Sequence, residues 1–180
     1  SVESDTLIIF AHGLTGSEYE HHYMRTAEYF NPKGVDTCKF GFYATKPKAR
    51  VFSETSIEIH GQDLTQVINL YKDKYQKITL VGHSLGSAAI LASDLSDISS
   101  IVLWDPTGGA KSMTEIADDE CYYNEPIGKY ILHNAGKEML MGQRMVDSRL
   151  AFADLESAAK RITKPCLFLF ASEEDKKDIW

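Results

Sequence analysis

Residues 77–92, "KITLVGHSLGSAAILA", constrain the fold more than any other stretch of this chain. An apolar run rich in β-branched residues ends in Gly82, His83, Ser84, Leu85 and Gly86, and a small-residue helical pattern follows without a spacer. A strand that turns this sharply into a helix forces the residue at the corner into strained backbone geometry. The residues two before and two after it must then be small for the chains to pass. The turn lifts the Ser84 hydroxyl clear of the sheet edge. It also puts the Leu85 N–H at a helix N-terminus, where partial positive charge can hold a developing oxyanion.

The same strand-then-helix order repeats along the chain. Short apolar runs occur at 6–12, 36–44, 77–83, 100–106 and 164–172, and four of the five are nearly continuous, as strands buried on both faces of a parallel sheet are. Helical spacing fills the intervals: "EHHYMRTAEYF" ends at Asn31-Pro32, and the segment from Ser56 puts Ile59, Leu64, Val67, Ile68 and Tyr71 on one side. The order predicts right-handed βαβ crossovers and a mostly parallel sheet with helices on both faces. From Gly108 to Ile162 no strand signal is evident. That interval is expected to hold two or three short helices, inserted after the fourth strand and followed by a covering helix over "SRLAFADLESAAKRI". The expected organisation is a core of 1–108 and 156–180 with a helical lid at 109–155.

A second loop converges on Ser84. "FAHGLTGS" (10–17) ends the first strand in His-Gly, and Gly13 lets the backbone turn so that the Leu14 N–H faces the same site. Leu14 and Leu85 amides together would make an oxyanion hole. His12 is read as orienting this loop through hydrogen bonds rather than acting as a base.

Composition narrows the partners. A net charge of −7 and a pI near 5.3, with no compensating Lys/Arg cluster, exclude a nucleic-acid or anionic-membrane surface. No apolar run reaches the roughly 20 residues of a membrane span. Cys38, Cys121 and Cys166 are too far apart for a CxxC metal or redox site and odd in number for a disulfide framework, which fits reduced thiols in a cytoplasmic protein. The chain opens on Ser1 rather than Met, so an earlier targeting segment is left open.

With "HGLTGS" at 12–17, "HGQDL" at 60–64, "LVGHSLGSAA" at 80–89, "LWDP" at 103–106 and "ITKPCLFLFASEED" at 162–175, the chain resembles the α/β-hydrolase superfamily. The likeness is to the serine aminopeptidase and monoacylglycerol-lipase-like esterases and related thioesterases. The resemblance implies a Ser, acid, His triad in that chain order, an acyl-enzyme mechanism, no cofactor and no metal. Its acid turn matches Ser172-Glu173-Glu174-Asp175, which makes Asp175 the expected acid; Asp105, at the end of the fourth strand run, is the alternative. The histidine should follow the acid, yet only five residues do, and His12, His21, His22, His60, His83 and His133 all precede it. Each of the six is better read as structural. The chain also lacks the family's N-terminal strands and C-terminal strand and helix, so it reads as the middle of a hydrolase whose base lies elsewhere.

The expected function is therefore a serine hydrolase of the carboxylesterase or thioesterase class, acting on a small-molecule acyl substrate through Ser84. Met113, Tyr122, Tyr123, Ile127, Met139 and Met141 of the lid would line the acyl pocket or form the lid's own core. The alternatives are a non-catalytic binding protein of the same fold and an acyltransferase using the same site; whether the chain forms a homodimer stays open.

Overall fold

The computed structural model describes residues 4–107, 121–134, 136–152 and 154–171. All five strand signals form strands, β1 (Thr6–Ala11), β2 (Asp36–Lys39), β3 (Lys77–His83), β4 (Ser100–Trp104) and, last in the chain, β8 (Cys166–Leu169). They pair in parallel in the order β2-β1-β3-β4-β8. Three of the helices sit where the spacing predicts them: α1 (His21–Phe30), α2 (Ile57–Tyr71) and α3 (Leu85–Leu91).

Alternation along β1 explains why both faces are covered. Leu7, Ile9 and Ala11 point into one cluster with Leu64 and Ile68 of α2 and Ala89 and Ile90 of α3. Ile8 and Phe10 point the other way, onto the fully buried Tyr23 of α1. A period of two in one strand thus separates two helix layers. The buried face of α2 is turned slightly from the expected one: Ile57, His60, Gly61, Leu64 and Ile68 are inside, whereas Ile59 is only half-buried. Ser56 caps this helix by accepting the Ile59 N–H at 3.2 Å.

The inserted segment corrects the sequence expectation. Where short helices are expected, residues 121–141 form an antiparallel meander of β5 (Cys121–Asn124), β6 (Lys129–Asn134) and β7 (Lys137–Met141). Helix begins only afterwards, in α4 (Gln143–Ala151) and α5 (Leu155–Ala159). The local reason is turn chemistry that outranks helix propensity. "NEPIG" closes the first hairpin with Asn124 Oδ1 accepting the Ile127 N–H and with Gly128 at φ 61°, and Gly136 at φ 73° serves the second. Cys121, Tyr130, Leu132 and Met141 are the buried members of the meander's strands. They pack with Met145 and Val146 of α4 and with Leu85 and Ala88 of α3. Ser148 fastens this unit to the core, accepting the Ile57 N–H at 2.9 Å and donating to Glu58 at 2.7 Å.

All three cysteines are thiols, Cys121 buried and Cys38 and Cys166 half-buried. Among the described residues no helix is long and apolar enough to cross a membrane.

Candidate active site

The site is built at the carboxyl ends of β1, β3 and β4, where the register sets Ala11 beside Gly82 and His83 beside Trp104. Ser84 follows β3 directly and stands immediately before α3. Its backbone has φ 52° and ψ −123°, a region L-residues avoid at a cost of about 1–3 kcal/mol. Backbone bonds hold it there. The Ser84 N–H donates to the Trp104 carbonyl at 2.9 Å, and the Ser84 carbonyl accepts the Ser87 N–H at 3.0 Å and the Thr107 N–H at 3.4 Å.

Close approaches account for the small residues around it. A Cβ on Gly86 would run into the carbonyl of Ala11 on β1, and one on Gly82 would come within 2.8 Å of the Gly86 backbone. A Cβ on Gly13 would stand 3.0 Å from the Ser84 Cβ and 3.5 Å from its Oγ, so the loop after β1 lies directly against the serine.

The loop after β1 is a tight turn in which Gly16 N–H donates to the Gly13 carbonyl at 3.1 Å and Thr15 takes φ 59°. That bond leaves the Leu14 N–H outside the turn. The Leu85 N–H, in the first position of α3, likewise has no intrahelical acceptor. Both amides belong to loops that meet at Ser84, the loop after β1 and the turn into α3. His12 anchors the first of these loops. Its Nε2 accepts the Phe42 N–H at 3.1 Å, which leaves Nδ1 to donate to the Gly13 carbonyl at 2.9 Å. Burial holds its pKa below the ordinary histidine value, so the ring stays neutral in this tautomer.

The Ser84 Oγ hydrogen-bonds the Thr107 hydroxyl at 3.0 Å. Thr107 is a neighbour that the sequence did not point to, since a threonine three residues after the β4 terminus matches no motif. None of the six histidines hydrogen-bonds Ser84. His60 is enclosed against Phe42, ring centroids 4.2 Å apart, and burial pushes its pKa down to about 3. His21 lies on the exposed side of α1 and accepts from Arg25, and His133 stacks on Tyr122 beside Glu138. His22 and His83 face Glu20.

Asp175, Glu173, Glu174 and Met113 lie outside the described residues. Asp105, at φ 43°, accepts the Ala171 N–H through Oδ1 at 3.1 Å, while its own N–H donates to the Leu169 carbonyl at 2.7 Å. It ties the end of β8 to β4. Of the other residues named as pocket candidates, Met141 is fully buried under the meander with Met139 against it, and Tyr122, Tyr123 and Ile127 are exposed.

Similarity to known proteins follows the same lines. A family model described as "Putative serine esterase (DUF676)" matches residues 1–95, which hold β1 to β3, both loops and the whole serine turn. Among solved structures the chain is similar to Est1E from Butyrivibrio proteoclasticus, solved with ferulic acid bound. The identity is 20% and the TM-score 0.69, over 92% of this chain and 68% of that one. It is also similar to a monoacylglycerol lipase of Paleococcus ferrophilus, at 18% identity and TM-score 0.64, over 93% and 74% of the two chains. The esterase domain of a Rhodothermus marinus protein gives 16% and 0.63, over 94% and 66%. At these identities the likeness is one of fold, and the fold is that of the α/β-hydrolases. No functionally curated protein matches the chain in sequence.

Proposed function

Because the chain belongs to the family described as "Putative serine esterase (DUF676)", we propose that it is an ester hydrolase in which Ser84 is the nucleophile. The observation that carries the reading is the strained Ser84 backbone at the head of α3 with Gly13 packed against it. Holding an L-residue at φ 52° costs stability and is of use where a side chain must be presented. In this reading Ser84 Oγ attacks the carbonyl carbon of a small acyl ester as its proton passes to a base. The Leu14 and Leu85 amides hold the oxyanion, the alcohol leaves with a proton, and water then releases the acid from the acyl-serine.

Asp175 is the proposed acid, and Asp105, committed to Ala171, is the weaker candidate. The base is a histidine that the six rings of this chain do not bring to Ser84. Thioesters of the same acyl groups are the second substrate class, and an acceptor alcohol in place of water would make the same site an acyltransferase.

One observation favours a different reading. Among the described residues the Ser84 hydroxyl is partnered by Thr107 and by no imidazole, an arrangement that also suits a binding protein that holds an acyl compound without cleaving it. The two readings separate on labelling by a fluorophosphonate and hydrolysis of paired p-nitrophenyl and thiophenyl butyrates, in the native protein and its Ser84→Ala variant. The esterase reading expects label and hydrolysis that the variant loses. Tight butyrate binding with neither would establish the binder.

A further inference from the structure

Behind the serine turn lies a group of side chains that the proposed chemistry does not use. Glu20 stands at the entrance to α1, His22 is in its first turn, and His83 is the last residue of β3. Their inward atoms converge: Glu20 Oε2 lies 3.2 Å from His22 Nε2 and 3.9 Å from His83 Nδ1, and all three fall within 4.8 Å of one another. All three atoms are shielded from solvent, and none has a hydrogen-bond partner among the described residues. Three enclosed polar atoms left unsatisfied at one point are costly, since each has lost its water without replacing it.

We propose that Glu20, His22 and His83 bind a divalent transition-metal ion of the zinc class. Two imidazoles and one carboxylate are a donor set that zinc takes readily, with a remaining position for water. Tetrahedral ligands with metal bonds of 2.0–2.1 Å sit about 3.3 Å apart. The Glu20 to His22 contact is already at that spacing, and His83 needs to close by less than an ångström on Glu20.

The surroundings orient the donors. The Ser17 N–H holds Glu20 through its other oxygen, Oε1, at 3.3 Å, which turns Oε2 toward the histidines. Trp104 packs edge-on against both imidazoles, its centroid 4.9 Å from that of His22 and 5.7 Å from that of His83, and Tyr23 lies 4.1 Å from His22 on another side. Glu20 thus offers a carboxylate oxygen, and His22 and His83 a ring nitrogen each, to the same point.

An ion there would join the loop after β1, which carries Gly13 and Leu14, to the residue immediately before Ser84. It would brace the site without entering the ester chemistry. Sequence spacing gives no sign of it, because His83 lies 61 positions after His22 in the chain.

The test is a titration of the untagged protein with Zn²⁺ alone, in competition with a chromophoric chelator. One ion per chain at micromolar affinity or tighter is expected, weakened at least about tenfold by Glu20→Gln and by His22→Gln and unaffected by His21→Gln on the exposed side of the same helix turn. X-ray absorption of the loaded wild-type protein should show two imidazoles and no sulfur, a readout that holds if either variant fails to fold. No stoichiometric binding, binding that both variants leave intact, or a sulfur ligand would overturn the proposal.

Discussion

Gly13 and Ser84 meet so closely that a single methyl group on the glycine would stand 3.0 Å from the serine Cβ and 3.3 Å from the His83 carbonyl. The contact joins the loop after β1 to the turn after β3, and it makes the position of the Leu14 amide depend on the absence of a side chain at residue 13. Gly13→Ala should push the loop away from the serine and cost the rate of fluorophosphonate labelling about 10- to 100-fold, somewhat less than outright removal of an oxyanion donor. Far-UV circular dichroism should be unchanged.

Gly86 faces a harder obstacle. Its Cβ would meet the Ala11 carbonyl and, at 2.9 Å, that of His12, both backbone atoms of β1 and its exit. Neither wall can rotate away as a side chain can, so Gly86→Ala must part α3 from β1. We expect a loss of about 3 kcal/mol, at the upper end of overpacking costs. The midpoint of urea denaturation measures it.

These two contacts show how far the sequence could be read. The motif around Ser84 and the His-Gly loop were legible because backbone sterics leave few residues able to fill such turns, and the inner strands β1, β3 and β4 because burial between two helix layers writes itself as apolar runs. The inserted segment was not. In Tyr130-Ile131-Leu132 and Met139-Leu140-Met141 apolar residues occupy both faces of the strand, Leu140 being exposed, so no period of two stands out. Only Asn124, Gly128 and Gly136 marked the hairpins. Thr107 at Ser84, and the meeting of Glu20 and His22 with His83, depend on tertiary approach and have no sequence signature.

His60 gives the fold an acid-sensitive point. It is 3% exposed, and burial depresses its pKa to about 3 from the 6.5 expected when unfolded. Above pH 6.5 both states are neutral and the group contributes nothing to pH dependence. As pH falls from 6.5 toward 3, only the unfolded chain takes up the proton. Stability then declines with a limiting slope of about 1.4 kcal/mol per pH unit from this residue. Buried His12, also depressed, adds in the same direction. His60→Leu should flatten the decline between pH 6.5 and 4 in urea-denaturation series; an unchanged slope would mean that the ring is not buried neutral.

The outer strand presents apolar side chains on both faces. Leu167, Phe168 and Leu169 of β8 and the following Phe170 are 41–70% exposed, on an edge whose backbone also has pairing capacity. The 180-residue chain should bind 8-anilinonaphthalene-1-sulfonate and scatter light increasingly with concentration. Phe168→Lys together with Phe170→Lys should reduce both, since charge on an edge strand opposes association.

On the proposed function Ser84 is a nucleophile that works with an imidazole, and none of the six described histidines is brought to its hydroxyl. Free imidazole added to the 180-residue protein with p-nitrophenyl acetate should therefore drive acylation at Ser84, located by peptide mass mapping and absent in Ser84→Ala. Acylation that is confined to lysines and is the same in the variant would rule out a nucleophilic Ser84.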